Sequence, residues 1–223
     1  MAEDEWGDAP PPSMAPEVPA RELPVTKRGV RTREALVRAA RAVFERQGYL
    51  DAKLTDITRE ANCSTGSFYT YFTNKEEIFA AVLREAQEDM MHPGMGRVPG
   101  DGDPYAVLEA ANRAYLEAYR RNARLMALLE QVSHIDPAFR RLRRARADAF
   151  IRRNARGIAD LQARGAADPA LDPLLTSRAL SGMVSRVAYT AFADEDADPI
   201  DFDTLVTTLT RLWANALRFP PRP

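Results

Sequence analysis

The chain has 223 residues, enough for one or two domains, with 31 basic and 32 acidic side chains and 45% hydrophobic residues. No apolar run approaches the roughly 18 residues of a membrane span, and the acidic start M-A-E-D-E-W-G-D-A-P lacks the basic and apolar regions of a signal peptide. A single cysteine, Cys63, excludes an internal disulfide and a Cys-rich zinc site, so the expectation is a cytoplasmic protein with no membrane partner.

Residues 1–24 are acidic and Pro-rich and read as a disordered tail, too poor in apolar surface to offset the entropy of ordering. Between Lys27 and Lys75 the balance reverses, with ten basic residues against five acidic ones. A near-neutral average therefore hides a basic module, which is what the counterion-release part of DNA affinity requires.

Apolar residues Ala35, Leu36, Ala39, Ala40, Val43 and Phe44 recur at helical spacing and predict a helix over 32–47, stopped by Gly48. Lys27, Arg28 and Arg31 would then precede that helix as a basic arm for the minor groove or backbone. A second helix is predicted over 54–61. Asn62 follows where the chain must turn sharply, and Asn tolerates the left-handed conformation. A third spans 65–72. The run Thr73-Asn74-Lys75-Glu76 reads as a capping box, Thr73 with Glu76, opening a fourth helix to about Met91. After a break to Gly102, Asp-Pro starts at 103–104, 136–137 and 172–173 help divide the remainder into helices near 104–121, 123–134, 137–164, 173–193 and 201–218. No segment alternates with period two, so the fold class is all-α. The last two helices carry broad apolar stripes suited to a four-helix dimer bundle, giving a homodimer.

The third helix carries small polar and aromatic residues where a solvated helix would carry Lys and Glu, a surface suited to a DNA groove. Ser64 can cap it and reach a phosphate. Gly66 allows close backbone approach, and Thr65 and Ser67 flank it. Tyr69 and Tyr71 can reach phosphates or thymine methyls, and Thr70 a base edge. Lys75, Lys53 and Thr55 are placed for the DNA backbone. With Lys27 and Arg28 these form the expected DNA-binding set.

The stretch G-Y-L-D-A-K-L-T-D-I followed by A-N-C-S-T-G-S-F-Y-T-Y-F-T-N-K-E-E-I-F resembles the N-terminal DNA-binding domain of the TetR family of bacterial transcription regulators. The resemblance covers roughly residues 30–80, with Gly48, Ile57, Ala61, Ser64, Gly66, Tyr69, Phe72, Lys75 and Phe79 at the family's spacing. It departs at Lys53, where the family has a Ser or Thr cap, at Asn62 in place of Gly, and at Cys63 in place of an apolar Val; Cys63 reads as a small buried hydrophobe. The resemblance implies a homodimer on a palindromic double-stranded DNA operator, released by a small molecule. It also implies DNA contact at Thr65, Ser67, Tyr69, Thr70, Tyr71 and Lys75, and a pocket among the central helices.

The expected organisation is a tail at 1–24, a three-helix helix-turn-helix domain at 25–75, a helical ligand-binding and dimerisation domain at 76–218, and a loose tail at 219–223. Candidates to line the pocket are Tyr115, Tyr119, Met126, Gln131, His134, Phe150, Met183 and Tyr189, with Tyr105 and Phe139 beside them. The effector reads as apolar, or, from the arginine-rich run at 140–156, as an anion such as a coenzyme A thioester. The only histidines, His92 and His134, share no ligand spacing, and no catalytic triad or Gly-rich phosphate loop is present, so neither metal, cofactor nor enzymatic activity is expected. The sequence predicts a ligand-responsive regulator, most simply a repressor. The alternative is an all-α ligand-binding protein or enzyme with a vestigial helix-turn-helix.

Overall fold

The structure, a computed structural model, describes Ser13 and residues 24–87, 102–194 and 196–219. Among them are nine α-helices and no strands: α1 Lys27–Gln47, α2 Leu54–Glu60, α3 Thr65–Tyr71, α4 Lys75–Gln87, α5 Pro104–Arg121, α6 Ala123–Ile135, α7 Pro137–Ala163, α8 Pro173–Phe192 and α9 Phe202–Leu217. The expected tail at residues 1–24, the continuation of α4 to Met91, the break after it and His92 lie almost wholly outside the described residues. None of the described helices is long and apolar enough to cross a membrane.

Two helix starts differ from the sequence reading. α1 begins five residues earlier than expected, because Thr26 is extended and its hydroxyl accepts from Gly29 N at 3.1 Å. Thr32 instead donates to the Arg28 carbonyl at 3.0 Å, a bond made inside a helix already under way. Lys27, Arg28 and Arg31 therefore belong to the first turns of α1 and form no arm. The cap of α4 is shifted by one residue: Asn74 Oδ1 accepts from Glu77 N at 2.8 Å, and Glu77 Oε2 accepts from the Thr73 amide and hydroxyl at 2.6 and 2.7 Å. Glu77 thus stands where Glu76 was expected, and its buried carboxylate is satisfied by those donors. The aspartate caps at Asp103, Asp172 and Asp201 form as their helices require, each carboxylate accepting an amide of its own first turn.

The described residues divide into two compact units, 24–87 with 124–144, and 102–123 with 145–194 and 196–219. In the first, α1 lays its apolar face inward. Leu36, Val37, Ala40, Val43 and Phe44 are fully buried, with Ile57 of α2, Phe68 of α3 and Ile78 and Phe79 of α4. Phe79 stands edge-on to Phe44 at 5.4 Å, and Tyr49 closes on both at 5.6 and 5.1 Å. Phe139, at the start of α7, meets Phe79 at 5.4 Å and is buried. Side chains of this size contribute about 1.5–3 kcal/mol each when fully buried, so this aromatic cluster anchors the unit.

Over the cluster lies a polar clasp. Lys75 Nζ donates to the carbonyls of Tyr49, Leu50 and Ala52 at 2.8, 3.2 and 3.2 Å and sits 4.6 Å from the centre of the Tyr49 ring. Tyr49 donates its hydroxyl to Glu76 Oε1 at 3.1 Å, and its pKa is raised by burial and by the Glu76 carboxylate. The loop between α1 and α2 has no regular hydrogen-bond ladder, and this ammonium supplies its missing donors.

In the second unit, α9 packs along α5. Leu205, Val206, Leu209, Trp213 and Leu217 are buried, and Asn112 Nδ2 donates to Thr210 Oγ1 at 3.2 Å in their midst. Arg113 pairs with Asp203 at 2.7 Å and, with Arg120, lies over the Phe202 ring at 5.7 and 4.4 Å, fastening the start of α9. α8 joins α7 through Ser177, whose hydroxyl donates to the Ile151 carbonyl at 2.7 Å, and through Asn154 with Ser181 at 3.2 Å. The apolar stripe of α9 is thus mostly absorbed within its own unit, whereas α8 leaves Leu174 and Leu175 exposed, and Leu212 is the large apolar residue that α9 leaves outside.

Replacing Lys75 by Met removes three carbonyl-binding donors while keeping the aliphatic stem. It is expected to lower unfolding stability by about 2 kcal/mol, read as a shifted urea midpoint with an unchanged slope.

Candidate nucleic-acid interface

The segment from α2 to α3 is held by its turn. Asn62 takes φ 50°, and Cys63 N donates to the Thr58 carbonyl at 2.9 Å, closing the end of α2 with the left-handed residue that Asn supplies more cheaply than most side chains. Ser64 then caps α3, its hydroxyl accepting from Ser67 N at 3.1 Å. Lys53 occupies the N-cap of α2 and makes no side-chain cap, so its ammonium stays outside the helix it begins.

α3 is two-faced. Phe68 and Phe72 point into the core, Phe68 with no exposure and Phe72 with 1%. Thr65, Gly66, Tyr69 and Thr70 are exposed, and Ser67 and Tyr71 are half-buried. The Tyr69 ring stands at 90° to Phe68, 5.5 Å away, which fixes its orientation. A Cβ built on Gly66 would meet only Ser64 Oγ, at 3.8 Å, an ordinary contact. Nothing inside the molecule demands glycine there, so the open space lies on the outward side. Gly29 is different: a Cβ would fall 2.8 Å from Pro24 Cβ and 3.6 Å from the Tyr71 hydroxyl. Tyr71, expected on the DNA, therefore lays its hydroxyl beside α1.

Beside α3 is a cleft of about 740 Å³ lined by Lys27, Arg28, Arg31, Thr32 and Ala35 of α1, by Ala61, Asn62 and Cys63 of the turn, and by Ser67 of α3. The basic excess of this segment is sorted by the fold. Arg38, Arg41, Arg46 and Arg59 pair with Glu34, Glu45, Glu60 and Asp56. Arg33 lies over the Phe72 ring at 5.2 Å, and Lys75 is bound to carbonyls. Lys27, Arg28, Arg31 and Lys53 are exposed and carry no ion pair among the described residues. Three of these four converge on the cleft. The role of Arg31, Asn62 and Cys63 in lining it escaped the sequence reading because it depends on the early start of α1. Cys63 is half-buried, and burial raises its thiol pKa. Lys75, expected to touch the DNA backbone, has all three of its donors committed within the protein.

The residues expected to line a ligand pocket are divided between the two units. Tyr115 and Tyr119 are ring neighbours at 5.9 Å on α5, and Tyr119 reaches Phe192 of α8 at 6.4 Å. Phe150, Met183 and Tyr189 are half-buried in the same unit. Met126, Gln131 and His134 belong to the other unit; Gln131 and His134 are exposed, His134 beside Glu130 at 3.5 Å. Phe139 is core, as its contact with Phe79 shows. The arginine run is likewise dispersed. Arg140 donates to the Ser133 and His134 carbonyls at 2.9 and 2.7 Å, closing the end of α6, and Arg143 pairs with Glu130. Arg146 lies over Phe150 at 5.6 Å, with its pKa pushed down to about 10 by burial.

With this geometry in view, two family models match the chain: "Bacterial regulatory proteins, tetR family" over residues 36–82 and "Transcriptional regulator EthR, C-terminal domain" over 108–218. The HTH-type transcriptional regulator YdgC of Bacillus subtilis is 40% identical over 58 residues, 26% of this chain and 30% of that protein. The A-factor receptor protein of Streptomyces griseus is 26% identical over 167 residues, 75% of this chain and 57% of its own length. The chain thus spans less than two thirds of these relatives. The fold is shared with SmeT, the repressor of the Stenotrophomonas maltophilia multidrug efflux pump SmeDEF, with a TM-score of 0.65 at 20% identity over 83% of this chain and 91% of that one. The matches fall on the α1–α4 reader and on the C-terminal helices alike, and the chain belongs to the TetR family of bacterial regulatory proteins.

Proposed function

We propose that the protein is a DNA-binding transcription regulator, a repressor that leaves a palindromic operator when a small molecule binds. The observation that carries this reading is the composition of one surface. A short helix with an uncharged outward face, open at Gly66, lies beside a cleft lined by Lys27, Arg28 and Arg31, which carry no ion pair among the described residues. Uncharged small residues suit approach to base edges, and the flanking cations suit the phosphate backbone. In this reading Thr65, Gly66, Ser67, Tyr69 and Thr70 face the groove. Lys27, Arg28 and Lys53 hold the backbone with Thr55 and Ser64, and Arg31 joins them.

The exposed leucines of α8 and α9 support a homodimer. Leu174, Leu175 and Leu212 are 41%, 66% and 46% exposed, and Ala179, Gly182 and Ala216 near them are small enough to admit a second copy closely. A two-fold dimer presents two copies of α3 and so matches a two-fold operator. The effector reading rests on the second unit, where Tyr115, Tyr119, Phe150, Met183 and Tyr189 supply apolar and aromatic surface. That SmeT has a triclosan complex supports a small apolar effector. Release then follows from differential affinity of the effector for two conformations.

Selection of bound duplexes from random DNA tests the central claim; recovery of no sequence bound in a salt-sensitive manner overturns it. Gly66→Ala is expected to leave thermal stability unchanged or raise it by about 0.5–1 kcal/mol while weakening operator binding at least tenfold, on the order of 1.4 kcal/mol. Each of Arg28→Ala and Arg31→Ala is expected to weaken all duplexes alike and to reduce the slope of log K against log salt by about 0.9. Leu212→Glu is expected to give a folded monomer in analytical ultracentrifugation, with operator affinity falling in parallel.

A further inference from the structure

We infer that α3 reads its operator chiefly through the 5-methyl groups of thymine, so that each half-site presents thymines to the Thr65–Thr70 face. The inference rests on the DNA-binding function proposed above and specifies what that surface recognises.

In the major groove each base has a preferred partner. Guanine takes Arg or Lys, adenine takes Asn or Gln, cytosine takes Asp or Glu, and thymine offers a methyl group to apolar contact. The whole of α3, T-G-S-F-Y-T-Y, contains none of those six polar side chains. Charged groups nearby are otherwise engaged or stand aside. Lys75 is bound to three carbonyls, Arg59 pairs with Asp56 at 3.2 Å, and the amide of Asn62 lines the cleft with Lys27 and Arg28. Hydroxyls remain, and these can serve any base, but those of Ser64, Ser67 and Thr70 are engaged within the protein. Ser64 and Ser67 bond each other at 3.0 Å, and Thr70 donates to the Gly66 carbonyl at 3.3 Å. A threonine whose Oγ1 turns back along its helix has its proton occupied and keeps its methyl on the other branch of Cβ. The outward face then presents the Thr65 side chain, the bare backbone of Gly66, the Thr70 methyl and the Tyr69 side chain, 46% exposed, whose ring stands edge-on to Phe68 and carries the phenolic hydroxyl at its tip. That is a surface of methyls and a flat ring around a gap, complementary to projecting methyl groups.

The test uses the full chain and the duplex recovered by selection from random DNA, resynthesised with deoxyuridine replacing thymidine in both half-sites. Base pairing and the hydrogen-bond pattern are preserved, and only the methyl groups are lost. Each lost methyl contact should cost about fourfold in Kd, so the deoxyuridine duplex should bind at least about tenfold more weakly. Thr70→Ser, which deletes a methyl and keeps the hydroxyl at an exposed position, should weaken binding to the thymidine duplex about fourfold and add little loss on the deoxyuridine duplex. Binding of the deoxyuridine duplex within about twofold of the thymidine one, half-sites without thymine, or an equal effect of Thr70→Ser on both duplexes would overturn the inference while leaving the regulator standing. Absence of specific binding to any thymidine duplex would overturn the regulator and this inference together.

Discussion

A single ammonium group organises the DNA-facing unit. Lys75 opens α4 and turns its three donors onto the carbonyls of Tyr49, Leu50 and Ala52, tying the loop after α1 to the start of α4. Beneath it, Tyr49 joins Phe44 and Phe79 in one aromatic cluster, and its hydroxyl returns to Glu76, the neighbour of Lys75. An irregular loop leaves backbone acceptors that must find donors, and an ammonium over a tyrosine ring supplies them at one point. The position of α2, which leaves that loop, and of α3, which follows α2 through the Asn62 turn, depends on this arrangement.

The same unit separates two tasks by chemistry. Lys27, Arg28 and Arg31 of α1 and Lys53 at the start of α2 carry no ion pair among the described residues, whereas α3 carries no charge. Phosphate attraction is long-ranged and indifferent to sequence, while contact with base edges is short-ranged and shape-dependent. Placing them on different helices allows one helix to supply affinity and another discrimination. Internal bonding uses the Thr70 hydroxyl proton and one of the two protons of Ser64 and Ser67.

The second unit follows a different logic. Its core is held by α5 against α9, with a buried amide–hydroxyl pair and an arginine-clasped phenylalanine at one end. Because α9 turns most of its apolar residues inward, what remains for a partner is a smaller surface from α8 and the outer side of α9. Arginine-rich α7 shows how a charge run dissolves in three dimensions. Arg140 closes the end of α6, Arg143 pairs with Glu130 and Arg146 covers Phe150, so these three are engaged within the protein.

The helical periodicities, the Asp-Pro starts, the Asn62 turn and the short helix α3 with its Ser64 cap were all legible in the amino-acid sequence, because each depends on residues within a few positions of one another. Where two local solutions compete, the sequence could not choose. Thr26 and Thr32 are both plausible caps, and the start of α1 at Lys27 goes with the Thr26 hydroxyl accepting from Gly29 N. The cleft of Lys27, Arg28 and Arg31 against the turn follows from that choice. The partners of Lys75, more than twenty residues away, are a long-range fact. Charge and periodicity determine which surfaces a helix can offer; which side chains are left free on them is decided by tertiary contacts, because each donor used inside the protein is lost to a partner outside.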